Sequence, residues 1–293
     1  MGFKGVYKEK TSYAKLGILL SLVFISVILH TLLATLLIYL FTNDGLILLE
    51  QQDLNNKLSV NYLKLIQLFS GIGLFITPTL LYSHLTDCDY RFNIVSRQNL
   101  ILTVSIMMLI TPLIGILLEW NMMIPFPDWL KKTDINSDEI IIAFLKMDSM
   151  YELFYTLLVI AVAPAIGEEL LFRGYLQQEF SDVLGNTHVS ILITAFIFSI
   201  IHLHLGGIIP RFILGLVLGY MFYWSRSLWL PILAHFVNNA LVVLFSYPLF
   251  KVKNGHYAVF SKDSIDPMIA LFSFVSVAFL LYMLYYNTRI KKG

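Results

Sequence analysis

The chain has 293 residues, 58% of them hydrophobic and only 13% charged, with a formal net charge of +1 and a mean hydropathy of +0.76. Soluble domains carry about 25% charged residues, so this composition excludes a disordered chain, a disulfide-stapled secreted module and a cytosolic enzyme, and leaves a polytopic membrane protein. The near-zero balance offers no footprint for nucleic acid, and the lone Cys88 has neither a disulfide partner nor metal-ligand spacing.

Apolar stretches predict eight transmembrane helices, at residues 17–41, 63–82, 100–118, 150–172, 189–205, 207–224, 228–247 and 267–286. The expected architecture is an all-α membrane bundle, a single transmembrane domain over 1–293 enclosing a polar cavity. Lys4, Lys8, Lys10 and Lys15 precede the first span. That span is too long for a signal-peptide core and no cleavage site follows, so it reads as a retained helix with its amino end in the cytoplasm. Eight spans return the C-terminus to the same side, where Arg289, Lys291 and Lys292 fit the positive-inside rule, as do Arg91, Arg97 and Arg226 in inner loops. The acidic loops around Asp44 to Asp53 and Asp134 to Glu139 fall outside, and the loop with Lys251, Lys253 and Lys262 is the misfit. Between the third and fourth spans, Ser137-Asp138-Glu139 reads as a helix start leading into Ile140, Ile141, Ile142 and Phe144. It suits either an interfacial amphipathic helix or a plain connector.

Ionisable residues inside spans are expensive and mark function. Here they are Glu168, Glu169, Arg173, His202 and His235, with Asn238 and Asn239 beside the last. His30 and Arg211 stand alone and read as structural. Glu169 and Arg173 are four apart, so they share a helix face and can pair, while Glu168 points about 100° away and is left free. Counted from the polar turn at Leu184, Gly185 and Asn186, Glu168 and His202 each lie about 17 residues along their arms, at matching depth. His235 and Asn239 are one helical turn apart on the seventh span, at a depth several ångströms off that of His202 on ideal geometry. A carboxylate and an imidazole can take a proton from water, and an imidazole and an amide can receive a developing oxyanion. That is a layout for hydrolysing an amide without a covalent intermediate. A zinc site on Glu168, His202 and His235 competes, since two histidines and a glutamate are an established set, although no H-E-x-x-H helix occurs. No nucleophilic-serine elbow is present.

Glu168-Glu169-Leu-Leu-Phe-Arg173, Phe198-Ser-Ile-Ile-His202 and His235-Phe-Val-Asn-Asn239 resemble, in order, the EExxxR, FxxxH and HxxxN motifs of the CAAX-protease and bacteriocin-processing family, the Abi family of intramembrane proteases. The motifs fall within residues 164–240. The resemblance implies an eight-helix glutamate-type endopeptidase acting on a peptide or protein at the membrane. In it Glu168 activates water with help from His202, His235 and Asn239 stabilise the oxyanion, Glu169 and Arg173 hold the set in place, and Phe198 packs behind His202. It implies no cofactor, with zinc as the older description of the family. The absence of glycosylation acceptors points to a bacterial plasma membrane. The alternatives are a non-catalytic bacteriocin-immunity or partner-binding membrane protein, in which the polar set is internal glue, and a transporter, for which the halves show no repeat. The Gly215 and Gly219 spacing suits a dimer face or close packing inside one bundle. Trp224 and Trp229 read as interfacial anchors.

Overall fold

A computed structural model describes residues 3–250 and 265–290 of the chain. The loop carrying Lys251, Lys253 and Lys262, and the terminal Lys291 and Lys292, lie outside the described residues. The described residues form helices joined by short turns, with one isolated β-bridge between Phe92 and Ser227. In chain order these are α1 (Ser12–Phe41), the short α2 (Gly45–Gln51), α3 (Lys57–Thr86), α4 (Arg97–Leu109), α5 (Thr111–Met122), α6 (Asp128–Phe144), α7 (Met150–Leu184), α8 (Thr187–Ile200), α9 (Ile208–Ser225), α10 (Trp229–Ser246) and α11 (Pro267–Ile290).

The helix ends follow local chemistry. The Asn56 and Asn186 side chains accept the first free N–H groups of α3 and α8, and Ser149 with Glu152 forms a reciprocal capping box at the start of α7. Gly185 ends α7 at φ +62°, a left-handed conformation that costs glycine nothing, and so sets up the expected α7–α8 hairpin. Below α3, Lys8 hydrogen-bonds Asp87 at 3.0 Å, and this contact holds the exposed Asp87 carboxyl below its ordinary range.

Among the described residues, six helices are long and apolar enough to cross a membrane, or seven if α4 and α5 form one span bent by 41°. The bend falls where Pro112, in the first turn of α5, removes a backbone donor. The difference from the expected eight is α8. It stops at Ile200 after 14 residues, about 21 Å at 1.5 Å per residue against a hydrocarbon core of about 30 Å. The chain then turns through Leu203, at φ +50°, so His202 sits in the turn beyond the helix end. The helix over 128–144 also begins nine residues before the expected start, which leaves Ser137 inside α6.

Polarity runs opposite to that of a soluble protein. Large apolar side chains point outward, among them Leu20 and Phe24 on α1 and Phe272 and Phe279 on α11, while Lys64, Glu168, Glu169, Arg173 and His235 are buried. With water outside, that arrangement would pay for desolvated charge twice, so the surroundings are lipid and the chain is an integral membrane protein. Gly215 and Gly219 settle within the bundle: a Cβ at either would meet Ala195 or Ile191 of α8 at 3.1 and 2.9 Å. His30 is a satisfied structural histidine between Ser26 and Thr77. Trp224 packs on Tyr220 and Tyr285, and Trp229 on Phe92.

Candidate active site

The site is assembled from α7, the turn after α8, and α10, with α9 behind it. Glu169 and Arg173 are both fully buried one turn apart on α7, and the Arg173 Nη1 donates to Glu169 Oε1 at 2.6 Å. A buried guanidinium needs further partners. Arg173 Nη2 donates to the Gly215 carbonyl of α9 at 3.0 Å, and its plane lies 4.7 Å from the Phe198 ring centre. One turn further along α7, Gln177 Nε2 repeats the pattern onto the Gly219 carbonyl at 3.1 Å. The two glycines let α8 approach α9 closely, and their carbonyls anchor α7.

The same Glu169 Oε1 faces His235 Nδ1 of α10 at 2.9 Å. A carboxylate only accepts, so this bond places the proton on Nδ1 and leaves Nε2 facing inward. His202 is oriented alike: its Nδ1 donates to the Phe198 carbonyl at 2.8 Å, which again turns Nε2 toward the site. Phe198 packs edge-on against Phe172, His202 and His235, with centroids 5.1, 5.1 and 5.8 Å away. Glu168 is the point of convergence. Its Oε2 lies 3.8 Å from His202 Nε2 and 3.9 Å from His235 Nε2, and is buried with no hydrogen-bond partner among the described residues. The His202 side chain is 30% exposed, so the site opens on that side.

Those separations exceed a hydrogen bond. They also exceed the roughly 3.3 Å expected between two ligand atoms on one tetrahedral zinc with bonds near 2.0 Å. Among the described residues no three His, Cys, Asp or Glu side chains form a group able to hold a metal ion. Glu168, His202 and His235 therefore do not fit zinc in this arrangement.

Asn239 lies one turn beyond His235, but its Nδ2 donates to the Ile160 carbonyl of α7 at 3.0 Å, while its Oδ1 accepts from Asn238. The reason is Pro164. Its ring nitrogen carries no hydrogen, so the carbonyl four residues back, Ile160, loses its helical donor. The π-helical turn over Leu158–Val162 absorbs the misfit, and Asn239 supplies the missing donor.

Several supporting residues have no motif to announce them. The turn that follows His202 is held by α6 and α5: Asp134 accepts from the Leu205 and Gly206 N–H groups at 2.9 and 2.7 Å. Asn121 donates to Leu205 O at 2.7 Å and accepts from Ile209 N at 2.9 Å. Asp138 meets His204 Nε2 at 3.0 Å, and Arg211 braces the His204 carbonyl at 2.8 Å. The only sequence signal was an acidic pair four apart in a connector, which by itself reads as a solvated face.

Comparison with known proteins bears on the same segment. Residues 150–241 match the family model described as "Type II CAAX prenyl endopeptidase Rce1-like". The chain is 31% identical over 102 residues to the "Uncharacterized protein YpbD" of Bacillus subtilis (strain 168), covering 33% of this chain and 47% of that protein, so it spans about half the length of this curated relative. No solved structure matches it. The match runs from the start of α7 to just past Asn239 and contains all three motifs, so over residues 150–241 this chain is similar to the Rce1-like CAAX prenyl endopeptidases.

Proposed function

We propose that this protein is an intramembrane endopeptidase that cuts a peptide bond of a membrane-associated protein or peptide, with Glu168 as general base. The observation that carries the reading is the Glu168 Oε2 atom, buried, without a hydrogen-bond partner among the described residues, and faced by two imidazole Nε2 atoms at 3.8 and 3.9 Å. A single water fits gaps of that size. It would give one proton to Glu168 Oε2 as its oxygen attacks the scissile carbonyl, with His202 Nε2 accepting its other hydrogen and so aiming the lone pair. His235, when protonated at Nε2, and the second amide hydrogen of Asn239 would then stabilise the oxyanion. As the C–N bond breaks, Glu168 returns its proton to the leaving amine. Glu169 and Arg173 act as positioning residues: Glu169 fixes the ring of His235, and Arg173 fixes Glu169.

Under this reading the active domain is the whole helical bundle, set in a bacterial plasma membrane with both termini on the cytoplasmic side. The positive-inside distribution of Arg91, Arg97, Arg226 and Arg289 supports that orientation.

Detergent-purified protein incubated with a fluorogenic peptide library tests the reading. Glu168→Gln keeps the size of the side chain and removes the base, so cleavage should fall by about 10²–10⁴-fold while thermal unfolding is little changed. Excess chelator should leave the wild type active. Loss of activity in chelator alone would move the mechanism to a metal peptidase. A Glu168→Gln protein as active as wild type would overturn the assignment, and an inactive wild type would favour an immunity or binding role.

A further inference from the structure

A second polar constellation lies away from Glu168, between the starts of α3 and α7. Lys64 of α3 is 1% exposed. Its ammonium donates to Thr156 Oγ1 of α7 at 2.8 Å and stands 5.7 and 6.0 Å from the Phe144 and Tyr155 ring centres. Among the described residues it makes no ion pair with a carboxylate, although an ammonium removed from water calls for one. It lines a cleft of about 260 Å³ that also takes in Lys57, Asn61, Lys146, Asp148 and Glu152.

The two acids of the cleft are engaged elsewhere. Asp148 accepts from Lys57 at 2.6 Å. Glu152 Oε2 accepts the Asp148 and Ser149 N–H groups at 2.6 and 3.2 Å, and its Oε1 faces Lys57 at 3.4 Å. Three lysines thus meet two carboxylates, both occupied, and the excess positive charge sits inward at Lys64 and, exposed at the mouth, at Lys146. The position fits a membrane interface. Lys57 and Met150 begin two membrane-crossing helices, and Lys64 is two turns, about 10 Å, further in. Basic pockets between transmembrane helices take anionic headgroups on the cytoplasmic side; on the orientation read from the loop charges this cleft opens on the outer face, where phospholipids of the outer leaflet present the same phosphate, and a phosphate offers acceptors to several donors arriving from different elements.

We propose that this cleft binds a phosphate group, carried by an anionic phospholipid headgroup or as free phosphate, with Lys64 as its buried counter-charge and Lys146 at its entrance. The site is independent of the peptidase reading, because it uses none of the residues around Glu168 and its test needs no turnover.

The test uses full-length protein stripped of lipid in detergent, with binding read by thermal unfolding and by native mass spectrometry. The additions are phosphatidylglycerol, phosphatidylcholine and inorganic phosphate, each with wild type, Lys64→Met and Lys146→Gln. Phosphatidylglycerol should raise the wild-type Tm saturably and remain bound more firmly than phosphatidylcholine, whose choline cation meets the lysines at the mouth. Lys64→Met should weaken that binding by about tenfold or more, as expected for losing a charged hydrogen-bond donor, and Lys146→Gln by less. A shift given equally by inorganic phosphate would support the site and name free phosphate as its occupant. No preference for phosphatidylglycerol or phosphate over phosphatidylcholine, or binding unaltered in Lys64→Met, would overturn the proposal. If Lys64→Met does not fold, the exposed Lys146→Gln decides, and unaltered binding there would overturn it equally.

Discussion

At the scale of single residues, the site depends on one oxygen. Glu169 Oε1 accepts from both Arg173 and His235, at 2.6 and 2.9 Å, with all three side chains buried. Removing one partner of such a set leaves a charge in low dielectric, so Arg173→Met should cost about 3–5 kcal/mol. Adding Glu169→Gln to it should recover much of that loss, because position 169 then no longer carries an unpaired charge. Denaturant titration of the wild type and the two variants checks this, and equal stability of the single and double variants would contradict it. These residues were legible from spacing, since an acid and a base four apart in an apolar run almost dictate a pair. The bond between Asn239 and Ile160 was not, because it depends on the register of α10 against α7, which no local pattern encodes.

At the scale of elements, prolines shape the helices around the site. The π-helical turns at Ile72–Ile76 and Leu158–Val162 are each followed, two residues after they end, by a proline, Pro78 and Pro164. These irregular turns bring α3 against α7 so closely that a Cβ on Gly167, the neighbour of Glu168, would stand 2.8 Å from Phe75 Cβ and 3.0 Å from Ile76 Cγ1. Gly167→Leu should therefore push the helices apart, cost about 1–3 kcal/mol and lower turnover together with stability; thermal unfolding and peptide cleavage on one preparation would check it. Hydropathy revealed the long helices because a span is a matter of length and composition. It misjudged α8, since apolar residues continue past Ile200 into the next helix and the break is a backbone reversal at Leu203. Nothing in that residue type signals a positive φ.

At the scale of the whole molecule, α8 ends at Ile200 after 14 residues, shorter than a full crossing, and His202 lies in the turn that follows. Leu203 is 72% exposed there. In a Cys88→Ser background, Leu203→Cys should react with a membrane-impermeant maleimide applied to intact cells, if the orientation read from the loop charges holds; reaction only after lysis would invert the topology. Water would reach Glu168 from that face, while lipid surrounds the rest of the bundle. The three-motif order picked out the segment that the family model matches, but the shortness of α8 came only from the structure.

Pro164 and Asn239 carry a consequence for descent. One withholds a donor from Ile160 and the other provides it, so this hydrogen bond has its use only while both residues are present. A lineage that replaced Asn239 alone would strand the partly buried Ile160 carbonyl, at about 1–3 kcal/mol, whereas one that first replaced Pro164 would make the asparagine's bond to Ile160 redundant and leave its amide held only by its proposed part in the oxyanion site. The order of substitution therefore matters for stability: Asn239→Leu should be markedly less stable than Asn239→Leu combined with Pro164→Ala, and while turnover is selected the asparagine would be kept even in descendants that have lost the proline.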